Sequence, residues 1–136
     1  MNWKKLILAG AFIIAAAFCN AVMDKLQFHY SSSIFPRKGE ILLGKSHDWW
    51  NPAVSWRNKY KNWPNDARPA FPFAKTALVF LTDAWHFAKC LMIILISAGV
   101  AIVTQRKPIH AVAAFFIYYA IFSIAFEFVF RWLLEG

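Results

Sequence analysis

Three long apolar runs dominate the pattern of hydrophobic and polar positions along the chain. The first is uncharged from Leu6 to Met23, the second extends from about Thr76 to Thr104, and the third covers about 109–134. A helix needs about 20 mostly apolar residues to cross the hydrocarbon core of a bilayer. Backbone groups in lipid must be hydrogen-bonded internally, which favours helices for such runs. The pattern therefore predicts three transmembrane helices, at about 5–24, 76–104 and 109–134.

The segment between the first two runs, residues 25–75, predicts an amphipathic helix lying on the membrane surface. Asn51 and Pro52 form a good helix start, with Asn as the N-cap and Pro at the first helical position, and this helix is expected to end near residue 62. Tryptophan and tyrosine favour the headgroup level because they carry an apolar body and a polar tip. Three such rings recur at positions i, i+4 and i+7, on one face of the predicted helix: Trp56, Tyr60 and Trp63.

The predicted fold class is therefore all-α, a single membrane domain over residues 1–136 with three transmembrane helices and one interfacial amphipathic helix. Composition supports this, since 60% of the residues are hydrophobic, whereas soluble domains carry about 45–50%. Two Cys and five Gly argue against a disulfide scaffold or a collagen-like chain. The first run begins like a signal peptide, but its length and the large Phe18 near its end argue against cleavage.

Charge indicates an orientation. Lys and Arg number 15 against 7 Asp and Glu, a formal net charge of +8. Lys4 and Lys5 precede the first helix, and Arg106 and Lys107 join the second to the third, so these four residues lie on one side. The positive-inside rule places that side in the cytoplasm, and the long segment 25–75 weighs less in the rule despite its many basic residues. We therefore expect a protein of the bacterial inner membrane, with its N-terminus inside and residues 25–75 outside.

Polar residues recur near the outer end of each predicted helix, on one face. Polar groups inside a membrane usually face the bundle interior or a wet cavity, so three such ridges at one depth are expected to converge. The ridges are Asn20 and Asp24 on the first helix, Asp83, His86 and Cys90 on the second, and Tyr119, Ser123, Glu127 and Arg131 on the third.

The chemistry of this predicted cluster leaves several interpretations open. In an enzyme, Asp83, His86 and Glu127 would be the catalytic acid and base groups. In a divalent metal site, Asp83, His86 and Cys90 would be ligands, since Asp-x-x-His resembles half of the Glu-x-x-His arrangement of bundle metal sites. In a structural role, Asp83 would be solvated at the membrane edge, His86 would be a packing residue, and Glu127 would pair with Arg131. Proton or ion handling is a further alternative.

Basic residues near the cluster predict contacts with lipid headgroups. The candidates for binding an anionic substrate are Arg57, Lys59 and Arg131. The alternative for these residues is ordinary anchoring at the membrane surface. A nucleic-acid interface is not expected, because the patch is flanked by membrane spans and lacks a recognition motif. Cys19 and Cys90 are expected to be free thiols.

Two segments of the chain carry a resemblance. The first reads DWWNP over residues 48–52 and continues as SWRNKYKN over 55–62, and the second reads LTDAWH over 81–86. In these residues the chain resembles small bacterial integral membrane proteins of the kind predicted from Bacteroidota genomes. The resemblance implies that the two segments belong to one unit, and it implies no activity, cofactor or site.

Two functions are consistent with these features. The first is an enzyme or binding site for a lipid or lipid-linked substrate at the outer membrane face. The second is a non-catalytic accessory or scaffold subunit of a larger membrane complex. Three helices bury limited interior, so we expect membrane lipids and either a homo-oligomer or a larger membrane complex as partners.

Overall fold

The computed structural model describes residues 2–128, apart from the side chains of Glu40 and Glu127. Within this range the chain is mostly helical, with one antiparallel pair of short strands. In chain order the elements are α1 (Trp3–Phe28), α2 (Phe35–Leu43), α3 (His47–Trp50), α4 (Pro52–Ser55), β1 (Tyr60–Asn62), β2 (Asp66–Pro69), α5 (Ala84–Thr104) and α6 (Pro108–Phe128), with 3-10 turns at Tyr30–Ser32, Trp56–Lys59 and Val79–Leu81.

Among the described residues, three helices are long and apolar enough to cross a membrane. They are α1, α5 and the part of α6 from Pro108 to Phe126. This confirms the three long helices that the apolar runs predict. The predicted end of the third helix, beyond Phe128, lies outside the described residues.

The second long helix begins later than its apolar run predicts. It starts at Ala84 rather than near Thr76, and the preceding residues form turns that include the 3-10 turn Val79–Leu81. The reason is local, since Asp83 accepts a hydrogen bond from a backbone N–H of the first helical turn and so ends the non-helical segment. Hydropathy alone does not detect this boundary, because apolar residues flank the polar pair Thr82 and Asp83 on both sides.

The predicted helix over residues 52–62 was wrong in its extent. Only Pro52–Ser55 is α-helical, and it is followed by the 3-10 turn Trp56–Lys59 and by strand β1. Strand β1 pairs with β2 in antiparallel register, with Tyr60 opposite Pro69 and an irregularity before the next pair. The start of the helix was predicted correctly, because the Asn51 side chain accepts a hydrogen bond from the Ala53 backbone N–H.

The chain divides into two compact units, whose described parts are residues 2–17 with 92–128, and residues 18–91. We call the second the boundary unit, because it contains the end of α1, the whole segment between α1 and α5, and the start of α5. The first unit holds the remaining parts of the three long helices.

Helices in the first unit approach each other through small residues. A Cβ atom on Gly99 would lie 3.5 Å from Phe12 Cβ and 3.7 Å from the Ala9 carbonyl oxygen, which shows how closely α1 and α5 pack. Small residues at such contacts are typical of helix packing in membranes. Helices α5 and α6 are linked by the hydroxyls of Thr104 and Tyr118, 3.4 Å apart.

The core of the boundary unit is aromatic. It consists of Leu26 from α1, Phe35 from α2, Trp49 and Trp50 from α3, and Ala84 from α5. The Phe35 and Trp50 rings are stacked at 5.0 Å, and the Trp49 and Trp50 rings meet edge to face at 4.9 Å. This core joins the segment between the helices to the helices themselves, so that segment is a folded element and not a linker.

Candidate functional site

Asp83 lies directly before α5, at the end of the segment that connects α1 to α5. Its Oδ1 accepts a hydrogen bond of 2.8 Å from the backbone N–H of His86. This is an N-cap contact, which satisfies one of the donors that the first turn of a helix leaves without an intrahelical partner. The cap also fixes the Asp83 carboxylate relative to α5.

The second carboxylate oxygen of Asp83 contacts the imidazole of His86. The distance between Asp83 Oδ2 and His86 Nδ1 is 2.7 Å, so the imidazole donates its Nδ1 proton to the carboxylate. The Asp83 residue is only 3% exposed, whereas the His86 side chain is 38% exposed. An imidazole that donates from Nδ1 presents Nε2 as its basic nitrogen. We call this pair the Asp83–His86 dyad.

Two side chains from the segment between α1 and α5 bind the backbone directly before the dyad. The Asn58 side-chain amide donates to the Thr82 carbonyl oxygen at 2.9 Å, and Trp49 Nε1 donates to the Leu81 carbonyl oxygen at 3.2 Å. Thr82 Oγ1 lies 2.7 Å from the Val79 carbonyl oxygen and 3.1 Å from Asp83 Oδ2, and its one proton serves one acceptor at a time. The segments 48–62 and 81–86, which carry the resemblance, are thus in direct contact.

An aromatic ring and a cation lie beside the dyad. The Trp85 and His86 rings meet edge to face, with 5.1 Å between their centroids. The Lys89 ammonium lies 5.3 Å from the centroid of the Trp85 ring, in a cation–π contact. Lys89 lies about one helical turn after His86 on α5.

On the first predicted polar ridge, the described side chains of Asn20 and Asp24 contact each other. Their hydrogen bond is 3.5 Å long, and both residues are exposed. Cys90 is a partly buried free thiol, and Cys19 is a buried free thiol, as expected from the sequence. The Glu127 side chain, with Arg131 and the ion pair predicted between them, lies outside the described part of the chain.

Among the described side chains, the candidate metal ligands Asp83, His86 and Cys90 do not form a group of three that would hold a metal ion. Across residues 2–128, no three His, Cys, Asp or Glu side chains form a group that would hold a metal ion. Asp83 and His86 are occupied with each other, and Cys90 does not complete a ligand set with them.

A second cluster lies on the strand side of the boundary unit. The rings of Trp56, Tyr60 and Trp63 are in mutual contact, with centroids 4.9 to 6.4 Å apart. We call it the Tyr60 cluster. The spacing of these residues predicted their grouping, but a turn and a strand bring them together, not one helix. Trp56 and Trp63 remain 39% and 40% exposed.

Cations surround the Tyr60 cluster. The Arg57 guanidinium carbon lies 5.4 Å from the centroid of the Trp56 ring, and the ammonium groups of Lys59 and Lys75 lie 5.4 and 5.0 Å from the Tyr60 centroid. These are cation–π distances. On the predicted helix, Arg57 and Lys59 would lie away from the aromatic face. In the structure, the turn and the strand place both side chains beside the rings. The residue pattern does not predict the contact between Lys75 and Tyr60, because this contact depends on the turns that follow β2.

A polar contact outside both clusters involves the residues after α1. The Tyr30 hydroxyl lies 3.3 Å from His47 Nε2, and His47 Nδ1 lies 3.8 Å from the Asp48 carboxylate. Burial, and to a smaller degree the charge of Asp48, raise the pKa of Tyr30 above its ordinary value. This contact links α3 to the 3-10 turn that follows α1.

No family model, curated protein or solved structure matches the chain. The chemistry of the two clusters is therefore argued from their own geometry.

Proposed function

We propose that the protein is an integral membrane enzyme that acts on a lipid or lipid-linked substrate, with the Asp83–His86 dyad as its acid/base group. The observation that carries the proposal is the contact of 2.7 Å between a buried carboxylate and a half-exposed imidazole. A histidine oriented through Nδ1 by a carboxylate is a common general base, because the carboxylate fixes the tautomer and stabilises the imidazolium that forms.

In the proposed reaction, His86 Nε2 removes a proton from water or from a lipid hydroxyl, and the oxygen so activated attacks an ester or phosphoester centre of the substrate. As the bond from that centre to the leaving oxygen breaks, the imidazolium gives the proton to the leaving oxygen. Asp83 positions the imidazole and keeps its own charge. Lys89, through its contact with Trp85, places positive charge near an anionic substrate. Arg57 and Lys59 are the proposed contacts for the lipid headgroup, with Arg131 and the partner carboxylate Glu127 as further proposed residues.

The proposed location is the bacterial inner membrane, with the N-terminus inside and residues 25–75 outside. The three long apolar helices support membrane insertion. The basic residues before α1 and between α5 and α6 support the orientation. In this placement the dyad lies at the outer end of α5, within reach of headgroups.

Two observations favour a second candidate function, that of an accessory subunit. One carboxylate oxygen of Asp83 serves as an N-cap, which is a structural role, and among the described side chains of α6 only Ala114 is buried. Helix α6 would then contact a second copy of the chain or another subunit of a membrane complex. In this function His86 would only pack against Trp85.

Lipid mass spectrometry separates the two functions. Wild-type protein and the variant His86→Gln are reconstituted into vesicles of the source organism's total lipid extract, and lipid species are compared after incubation. The enzyme proposal expects a lipid species that changes with wild type and not with His86→Gln. His110→Gln, at an exposed position at the start of α6, is the matched control and should behave as wild type. Identical lipid profiles for wild type and His86→Gln would remove the enzyme proposal and favour the subunit.

A further inference from the structure

We propose that Lys59 and Lys75 bind the phosphate of an anionic phospholipid headgroup beside the Tyr60 ring. Both ammonium groups lie within 5.4 Å of one ring centroid. An anion near both ammonium groups is attracted by two positive charges at once. The proposal rests on the membrane placement given above, but not on any reaction at His86.

The charge balance of the surrounding segment supports this assignment. Residues 56–75 contain five basic residues and one acidic residue, Asp66. That carboxylate is engaged by Arg68, whose guanidinium donates to it at 2.8 Å. Asp66 therefore does not supply the counter-charge for Lys59 and Lys75.

The backbone brings the two lysines together from different elements. Lys59 ends the 3-10 turn before β1, and its carbonyl oxygen accepts a hydrogen bond of 3.0 Å from Ala70 after β2. Lys75 follows a tight turn at Phe73, which has a positive φ of 62°. Aromatic residues rarely adopt this conformation, so the surrounding contacts must stabilise it. Backbone N–H groups of Thr76 and Leu78 both donate to the Phe73 carbonyl oxygen, and Ala74 is fully buried.

The neighbouring rings indicate a lipid rather than a soluble phosphate. Trp56 and Trp63 are 39% and 40% exposed beside the lysines, and Phe73 is 66% exposed on the turn that precedes Lys75. Amphipathic aromatic rings lie at the headgroup level of a bilayer, where they contact the upper part of the acyl chains. An ammonium group binds a phosphate as a point charge, and basic residues near a surface attract anionic lipids. The cluster thus offers positive charge for the phosphate and apolar surface for the glycerol and acyl region.

Native mass spectrometry of the full-length protein in detergent tests the proposal. The protein is titrated with dioleoyl phosphatidylglycerol, with dioleoyl phosphatidylcholine, and with glycerol phosphate as a soluble competitor. We expect adducts with phosphatidylglycerol that glycerol phosphate does not displace. The double variant Lys59→Gln/Lys75→Gln should raise the apparent Kd roughly 25-fold, since each basic residue near an anionic surface contributes roughly fivefold.

Matched variants identify the site within the basic surface. Lys38→Gln/Lys61→Gln removes two charges at exposed positions that are not among the described cation–π contacts of the Tyr60 ring, and it should bind as wild type. Tyr60→Phe keeps the ring and should retain binding, whereas Tyr60→Leu should weaken it. Circular dichroism melting confirms that each variant is folded. Equal weakening by both double variants, equal binding of the two phospholipids, or displacement by glycerol phosphate would each overturn the proposal.

Discussion

Asp83 uses its two carboxylate oxygens for two different purposes. Oδ1 accepts from the His86 backbone N–H and starts α5, and Oδ2 accepts from the His86 imidazole. The two purposes require different properties of the side chain. Capping needs a short side chain with one acceptor oxygen, whereas orienting the imidazole needs an acceptor at the second position as well. Substitutions at Asp83 therefore separate its structural role from its proposed functional role.

We predict that Asp83→Asn keeps most of the stability and loses the proposed activity. Asparagine is as good an N-cap as aspartate, but its amide nitrogen donates and cannot accept the Nδ1 proton of His86. Asp83→Ala removes the cap and should lower the free energy of unfolding by about 0.5–2 kcal/mol. Chemical denaturation in detergent and the lipid assay measure the two effects. Full activity in Asp83→Asn would show that the imidazole does not depend on the carboxylate.

Gly39 on α2 is required by the indole of Trp50. A Cβ atom at position 39 would lie 2.7 Å from Trp50 Cδ1 and 2.8 Å from Cγ, closer than non-bonded atoms approach. We predict that Gly39→Ala lowers the free energy of unfolding by about 1–3 kcal/mol, because the stacked rings of Phe35 and Trp50 must shift. Thermal denaturation followed by tryptophan fluorescence provides the measurement.

Gly10→Ala is the matched control for this substitution. Nothing lies within 4 Å of a Cβ atom at Gly10, which is in the interior of α1. Alanine there should be neutral or should stabilise the helix by up to about 1 kcal/mol. A Gly39→Ala variant as stable as Gly10→Ala would mean that the indole has room to move.

At the scale of elements, the pair β1 and β2 determines how the basic surface is presented. The strands are short, and two strands alone are marginally stable in water. Contacts at both ends hold the pair in place, with Asn58 bonded to the Thr82 carbonyl before β1 and Arg68 bonded to Asp66 within β2. The Asp66–Arg68 contact is exposed, so it orders the local backbone more than it stabilises the whole protein.

This contact predicts a pH dependence of the strand pair. Hydrogen bonds from Arg68 lower the pKa of Asp66 from 3.8 to about 2. Because the pKa of Asp66 is lower in the folded than in the unfolded protein, the Asp66–Arg68 contact stabilises the fold at pH values above 3.8. This stabilisation is lost as the pH falls toward 2. NMR titration of the Asp66 carboxyl carbon should give a midpoint near pH 2 in the wild-type protein and near pH 3.8 in Arg68→Gln. Lys61→Gln should shift the midpoint much less, since Lys61 contributes least to the lowered pKa.

The sequence predicts some elements well and others poorly, for physical reasons. Apolar length suffices for α1, α5 and α6, because a long uncharged run has few alternatives to a helix. The spacing Asp-x-x-His correctly predicted that Asp83 and His86 lie close together, but Asp83 reaches His86 from the N-cap position before α5 and not from the helix face. The same periodicity failed over residues 56–62, where pairing with β2 overrides it. Lys75 and Asn58 were missed as site residues because their contacts connect positions distant in sequence.

At the scale of the whole molecule, the main feature that needs an explanation is the exposed apolar surface of the three long helices. Large apolar side chains on α1, α5 and α6 are exposed, among them Ile7, Ile14, Phe18, Val103 and Phe116. Soluble monomers rarely expose contiguous apolar patches larger than a few hundred Å². Lipid contact accounts for such faces on all three helices, whereas a partner protein would account for one face at a time. The proposed membrane placement is therefore the most economical explanation of this surface.

That placement leads to a prediction about sidedness. The turn between β1 and β2 should be extracytoplasmic, and the connection between α5 and α6 should be cytoplasmic, because short basic segments near helix ends determine orientation. The test uses single cysteines at Asn65 and Gln105, in a chain whose Cys19 and Cys90 are replaced by Ala. A membrane-impermeant maleimide applied to intact spheroplasts should label Asn65→Cys at once and Gln105→Cys only after lysis. Labelling of Gln105→Cys alone would reverse the orientation and move the Asp83–His86 dyad and the Tyr60 cluster to the cytoplasmic leaflet. Labelling of both positions in intact spheroplasts would contradict an odd number of crossings between them, and with it the assignment of α5 as a membrane span.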